Sequence, residues 1–315
     1  MKLVDWRQLP VATATALLDQ EGRWWQGQLG WNLTPAFADV ERARELGRLP
    51  GVVVTTDDGQ PAAWAFFSAE GSVVQIGAMA AATPDSGRLL IRTIVQASVD
   101  AQASAIAALV RPGVPGVTEE LAARGFDLET YRYLEAPTDR FRDFAPDLRL
   151  CIAADIKRLP ALFARAYADS AEVRPFAPNG TPEEWDAYVR QLVRTQGCGE
   201  FQVRASVVAG GATLEGAAII TALSGSTAHL AQVAVDPSVR HRGLGRRLVV
   251  AAASSARARG LSRLTLFVAA ANTRAMELYD GLGFRPTTTF VAAVRRQPRP
   301  LMSVADATGG ASTFR

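Results

Sequence analysis

The chain has 315 residues, 48% apolar and 21% charged, enough to bury two cores at roughly 150 residues per domain. Two cysteines and two histidines exclude a disulfide framework and a multi-histidine or cysteine-based metal site. No apolar run approaches the ~18 residues of a membrane span. The opening MKLVDWRQLP lacks an export signal, and the net charge of +3 comes without a basic tract, since Lys occurs only at 2 and 157. A cytoplasmic protein, monomer or homodimer, with neither nucleic acid nor membrane as partner, is the expectation.

The pattern along the chain repeats. RQLP at 7–10 opens a helical stretch expected to end near Leu18, and KRLP at 157–160 opens another, ALFARAYA. A Trp-bearing helical segment follows in each half, around 24–37 and around 185–193. Next come hairpin signals: GVVVTTDDGQPAAWAFFS, turning at Asp58-Gly59, and FQVRASVVAGG with EGAAIITALSG. The strands SVVQIGAMA and AHLAQVAVD each lead through a proline into a helix, from about Gly87 and from about Gly243. LAARGFD at 121–127 and LYDGLGF at 278–284 close the two series, each before a further strand. The spacing predicts two copies of one α/β unit, over 1–140 and 147–299, joined near APTDRFRDFAPD at 136–147. A small, Gly-bearing flexible tail is expected over 300–315.

The chemistry concentrates in the second copy. After VAVDP, a short loop carries Arg240, His241 and Arg242, and Gly243-Leu244-Gly245 opens a long helix. Glycines there allow backbone N–H groups to converge on an anion at the positive end of the helix dipole. The flanking arginines suit phosphate oxygens. The loop therefore predicts a diphosphate cradle. A dinucleotide fingerprint needs Gly or Ala where Leu248 stands. It also needs an acid ~20 residues on, where RLTLFV lies. A Walker lysine is missing as well, so both common nucleotide readings fail.

The spacing Arg240-x-x-Gly243-x-Gly245 resembles motif A of the GCN5-related N-acetyltransferase (GNAT) superfamily. NTRAMELYDGLGF is similar to that family's N-x-x-A-x-x-x-Y-x-x-x-G-F pattern, with Asn272, Ala275, Tyr279, Gly283 and Phe284 in register. The resemblance covers roughly 147–297, and the first half in outline. It implies an α/β (α+β mixed sheet) fold of two tandem GNAT-like domains, each a mixed, mostly antiparallel sheet flanked by helices. It also implies acetyl-CoA as co-substrate, with no metal, and an amine acceptor. The pantetheine would pair with Val233, Ala234 and Val235. The diphosphate would lie on the loop of Arg240, His241, Arg242, Gly243, Leu244, Gly245 and Arg246, and Asn272 would bond the pantetheine arm.

Direct transfer needs a base for the ammonium and an acid for the departing thiolate. The resemblance places Tyr279 as the acid; the plain alternative is a packing aromatic. His229, four residues before Val233, is the base candidate, against a structural histidine. Gln232 can orient a substrate or water. Cys198 lacks an activating partner nearby in sequence, and Cys151 reads as core.

The first copy departs at every chemical position. Its junction reads TPDSGRLL, with Asp85 opposing phosphate, and Leu121 and Val114 stand at the spacings of Tyr279 and Asn272. It is expected to be a degenerate copy, either structural or walling the acceptor groove. Trp24, Trp25 and Trp31 either fill a core or line that groove. In the acceptor loop at 169–185, Glu172 and Arg174 either read a charged acceptor or are solvated. Two functions follow: an acetyl-CoA-dependent N-acetyltransferase acting on a primary amine of a small molecule or peptide, or a noncatalytic CoA-binding or scaffold protein.

Overall fold

The computed structural model describes residues 1–296 apart from 71, 169, 171–174 and 196. The expected tail over 300–315, and Glu172 and Arg174, lie outside the described residues. The first half runs β1 (Lys2–Asp5), α1 (Val11–Leu29), α2 (Thr34–Glu45), β2 (Gly51–Thr55), β3 (Pro61–Glu70), β4 (Val73–Ala81), α3 (Pro84–Asp100), β5 (Ala105–Val110), α4 (Val117–Ala123) and β6 (Asp127–Pro137). The second half runs β7 (Leu148–Leu150), α5 (Ala153–Ile156), α6 (Leu159–Ala166), α7 (Pro182–Arg194), β8 (Glu200–Phe201), β9 (Val207–Gly210), β10 (Leu214–Ser224) and β11 (Thr227–Val235). It closes with α8 (Leu244–Arg257), β12 (Arg263–Ala269), α9 (Thr273–Gly281) and β13 (Arg285–Arg296). Apart from the short α5 and β8, the two orders match element for element.

α1 differs from the sequence expectation. It runs to Leu29 rather than ending near Leu18, because Trp24 and Trp25 face a packed cluster and hold the helix through Gly22 and Gly27. Gly30, at φ 73°, then ends it; its N–H donates to Gln26 O at 3.0 Å, a left-handed glycine stop.

The two halves share one sheet. Among the described residues its strand order is β1-β2-β3-β4-β5-β13-β6-β12-β11-β10-β9-β7, with β8 beside β10. Among the described residues only β4·β5 and β11·β12 pair in parallel; the other neighbours are antiparallel. The closing strands are exchanged: β13 lies between β5 and β6 of the first half, and β6 pairs with β12 of the second. The exchange leaves neither half with an open inner edge, the feature that invites mispairing.

The sheet then sorts its faces by alternation. Under α8, Ala218, Ile220, Ala228, Leu230, Leu264 and Leu266 form one core. On the opposite face Ala217, Ile219 and Ala234 pack beneath Phe163, Trp185 and Tyr188 of α6 and α7. A separate cluster joins the halves, with Trp31 and Tyr133 of the first against Ala269 and Phe290 of the second. Among the described residues no helix is long and apolar enough to cross a membrane.

Candidate active site

The site begins where two parallel strands part. β11 pairs with β12 from Thr227↔Arg263 to Leu230↔Leu266 and no further. Beyond that point β11 stays with β10 as far as Gly216↔Val235, while β12 follows β6 to Ala269↔Tyr131. Each strand keeps its outer neighbour, so a wedge opens between them, flanked by the backbone of Val233, Ala234 and Val235. A bulge opposite Ile219 and Ile220 absorbs Ala231. It returns Gln232 to the sheet face that carries His229.

β11 delivers the chain to the phosphate-type loop. Asp236 ends the strand and accepts from Ser238 N at 3.1 Å and Ser238 Oγ at 2.7 Å. It also pairs with Arg165 at 2.7 Å. Hydrogen bonds from Arg165 and Ser238 hold its carboxyl down at about 2. The loop then turns through His241 at φ 64° and Gly243 at φ 75°. Gly243 is the N-cap of α8 and supplies no side-chain cap. The first N–H groups of α8 therefore lack intrahelical partners, and they face outward at the positive end of the dipole.

The loop side chains divide their work. Arg242 and Arg246 are exposed. Arg240, also exposed, folds back along the loop, donating to Val235 O at 3.2 Å and to Ala166 O, which pins the loop to α6. Arg247 donates to Arg242 O at 2.9 Å and pairs with Asp147 at 3.0 Å. His241 lies 3.4 Å from Arg274 at the start of α9. Leu244 is buried beneath the helix and Gly245 packs toward Val235.

Asn272 is the N-cap of α9, its Oδ1 accepting from Ala275 N at 2.9 Å. That cap is a role the sequence reading did not include; it leaves the amide hydrogens for another acceptor. Tyr279 lies on the inner face of α9 against Phe284, with ring centroids 5.5 Å apart. Burial pushes its phenol above the ordinary value. Among the described residues its hydroxyl has no hydrogen-bond partner.

A polar chain crosses the face beneath α6 and α7. Gln232 Nε2 donates to Tyr188 Oη at 3.1 Å, and Tyr167 Oη lies 2.9 Å from Gln232 Oε1 and 2.5 Å from Val233 O. Tyr167 and Tyr188 escaped the sequence reading; both lie in helical segments whose aromatic spacing reads only as core. His229 is 4% exposed, and Trp31, Tyr133 and Phe267 surround it at ring distances of 5.1, 6.3 and 5.6 Å. Burial takes its pKa down to about 3. Trp24 and Trp25 pack on Phe290, so the three tryptophans form a shared core between the halves that also walls His229.

Cys151 is buried, and burial raises its thiol to about 11, which keeps it protonated and inert. Cys198 is exposed.

The corresponding places in the first half are closed. Thr83 and Ser86 cap α3 reciprocally, with Ser86 N to Thr83 Oγ1 at 3.3 Å and Thr83 N to Ser86 Oγ at 3.2 Å. These side chains occupy the donors a phosphate would need, and Asp85 adds a negative charge in the same turn. The α3–α4 junction also presses on that helix end: a Cβ at Gly87 would meet Pro115 O at 2.1 Å. Leu121 is fully buried among Ile91 and Val117. Yet β4 and β5 still part after Ile76↔Ala108, so this half keeps the wedge without the anion site.

A family model described as "Acetyltransferase (GNAT) family" matches residues 164–284. No curated protein sequence matches the chain. Among solved structures, a GCN5-related N-acetyltransferase from Sphaerobacter thermophilus is similar at 16% identity and a TM-score of 0.64, covering 95% of this chain and 98% of that one. A tandem GNAT protein from the clavulanic acid biosynthesis pathway, solved without AcCoA, is similar at 16% identity and a TM-score of 0.60, covering 95% and 99%. A GNAT-family acetyltransferase from Colwellia psychrerythraea gives 12% identity and a TM-score of 0.51, covering 94% and 100%. At these identities the structural likenesses speak to the fold.

Proposed function

We propose that the chain is a tandem-domain member of the GNAT superfamily, a family whose model matches residues 164–284, and that it is an acetyl-CoA-dependent N-acetyltransferase acting on a primary amine of a small molecule or peptide. The observation that carries the reading is the wedge between β11 and β12, with the uncapped N-terminus of α8 at the end of the same strand. One feature offers unpaired strand backbone for an extended pantetheine arm. The other offers converging N–H groups for a diphosphate. Their succession along one strand suits a ligand with both parts, and Gly243 keeps the cradle free of side chains.

Bound there, acetyl-CoA would supply an activated acetyl thioester. The residues of this chain would do the rest. Backbone N–H groups in the unpaired stretch around Val233 would stabilise the developing oxyanion. Tyr279, held protonated by burial, would donate its hydroxyl hydrogen to the departing thiolate. Gln232, fixed by Tyr167 and Tyr188, would orient the amine or a water. His229 stays neutral across the physiological range. With a pKa near 3, it would accept a hydrogen bond from the amine or from a relaying water without keeping a full proton, and the proton the amine nitrogen loses would pass through that water to replace the one Tyr279 gives the thiolate.

That depressed basicity is also the observation favouring the noncatalytic alternative, a CoA-binding protein with this fold. Thiol release from acetyl-CoA, measured against an amine panel for the wild type and Tyr279→Phe, separates the two. Tight acetyl-CoA binding with no thiol release for any amine would sink the transferase reading. Failure to bind acetyl-CoA at micromolar levels would sink both.

A further inference from the structure

The two halves cover equivalent strand positions differently. β4 meets β5 at Val73↔Ala105 as β11 meets β12 at Thr227↔Arg263, which places Gln75 where the second half has His229. Over His229 the first half lays Trp31, 5.1 Å from the imidazole. Over Gln75 the second half stands back and leaves a cavity of about 610 Å³. Asn179 donates to Ser104 at 3.4 Å, and Arg296 donates to Pro178 O at 2.6 Å, fastening the two halves together at the rim.

We infer that this cavity between the halves binds a small hydroxylated amine of amino-sugar size, in a site that, among the described residues, meets the transferase centre only at Tyr188. The volume lies in the range of small-molecule sites. From the first half Ser68, Gln75 and Ser104 present hydroxyl and amide groups; from the second, Phe176 and Tyr188 present rings, and Glu183 a carboxylate. Hydroxyls and amides match a polyol, and the rings match its C–H faces. Glu184 is already held by Asn179 at 2.7 and 2.8 Å, and Arg190 by Asp186. Glu183 has no ion-pair partner among the described residues, so an ammonium is the charge the cavity lacks. The α3 terminus lies past the far end of β4 and is capped by its own side chains, so this half offers acetyl-CoA no diphosphate site. This site does not depend on the transferase reading, since its ligand is assayed without acetyl-CoA.

Calorimetric titration of the full chain with glucosamine, and with glucose as its uncharged counterpart, tests the site. Glucosamine should bind with a Kd at or below about 1 mM, equivalent to roughly 4 kcal/mol, and glucose at least about tenfold more weakly. Gln75→Leu should weaken glucosamine by about tenfold and Glu183→Gln by about fivefold, while Gly243→Ala leaves it unchanged. No heat with glucosamine at about 10 mM would overturn the proposal, as would equal affinity for glucose. Affinity indifferent to both cavity substitutions would overturn it too, by locating the binding elsewhere.

Discussion

Thr265 Oγ1 lies 3.0 Å from His229 Nδ1 and donates its own hydrogen to Ala228 O at 3.1 Å. A hydroxyl has one hydrogen to give. With that hydrogen on Ala228 O, the imidazole supplies the hydrogen between the two side chains, which places it on Nδ1 and leaves the lone pair on Nε2. The ring sits under Trp31 of the first half, whose indole N–H donates to Tyr133 at 2.7 Å. The degenerate copy thus contributes the lid over the one buried histidine of its partner copy.

That burial makes stability depend on pH. His229 has a folded pKa of about 3 against 6.5 when unfolded, so below pH 6.5 the unfolded chain takes up the proton first. The contribution is fully present above 6.5 and is lost as pH falls toward 3. Each pKa unit is worth about 1.4 kcal/mol, so His229 alone should cost about 2 kcal/mol between pH 7 and pH 5. Denaturant unfolding of wild type and His229→Gln at both pH values checks this; the variant should lose most of the difference. An equal slope in both would show that the imidazole is not the titrating group.

The Tyr279 hydroxyl supports a second expectation. Phenylalanine preserves the packing against Phe284 and removes only the proton donor. Tyr279→Phe should lower kcat by about 10²-fold, the lower range for losing an acid–base group, with acetyl-CoA affinity unchanged. Steady-state thiol release together with direct binding measures both. A loss of affinity equal to the loss of rate would assign Tyr279 to packing.

Much of the architecture could be read from local pattern. The ordered landmarks from RQLP to the Gly-Phe pairs exposed the duplication, and Arg240-x-x-Gly243-x-Gly245 marked the helix entrance, because both depend on short-range turn chemistry. The exchange of β6 and β13 left no such trace. LETYRYLEA alternates polar with apolar residues and TTFVAAV is mostly apolar, and nothing within either says which neighbour it will choose. The lid was hidden for the same reason: Trp31 and His229 are 198 positions apart, and their contact exists only once the halves are folded together. The bonds of Arg240 to Val235 O and Ala166 O were hidden too, since no local spacing says which carbonyls a guanidinium will reach.

Gly243 and Gly116 form a natural contrast. Both have left-handed backbones, at φ 75° and 76°. At Gly243 a Cβ meets nothing closer than Arg247 at 3.6 Å, so alanine there costs only the backbone conformation, about 1–2 kcal/mol. At Gly116 it would meet Pro84 O at 2.1 Å. Gly243→Ala should raise the KM for acetyl-CoA by about tenfold with a small drop in Tm. Gly116→Ala should lower Tm more and leave that KM unaltered. The opposite ranking would mean that the anion site lies in the first half.

The exchanged strands make the two halves one unfolding unit. β13 is ladder partner to both β5 and β6, and Phe290 on it is 1% exposed, packed against Trp24, Trp25 and Phe267. Removing its ring should cost about 3–5 kcal/mol, and the loss should fall on both halves together. Heating Phe290→Ala should therefore show one transition at a lower Tm, with near-UV signals from the first-half tryptophans and from Trp185 of the second half disappearing in step. Two separated transitions would show that each half keeps a core able to stand without its borrowed strand.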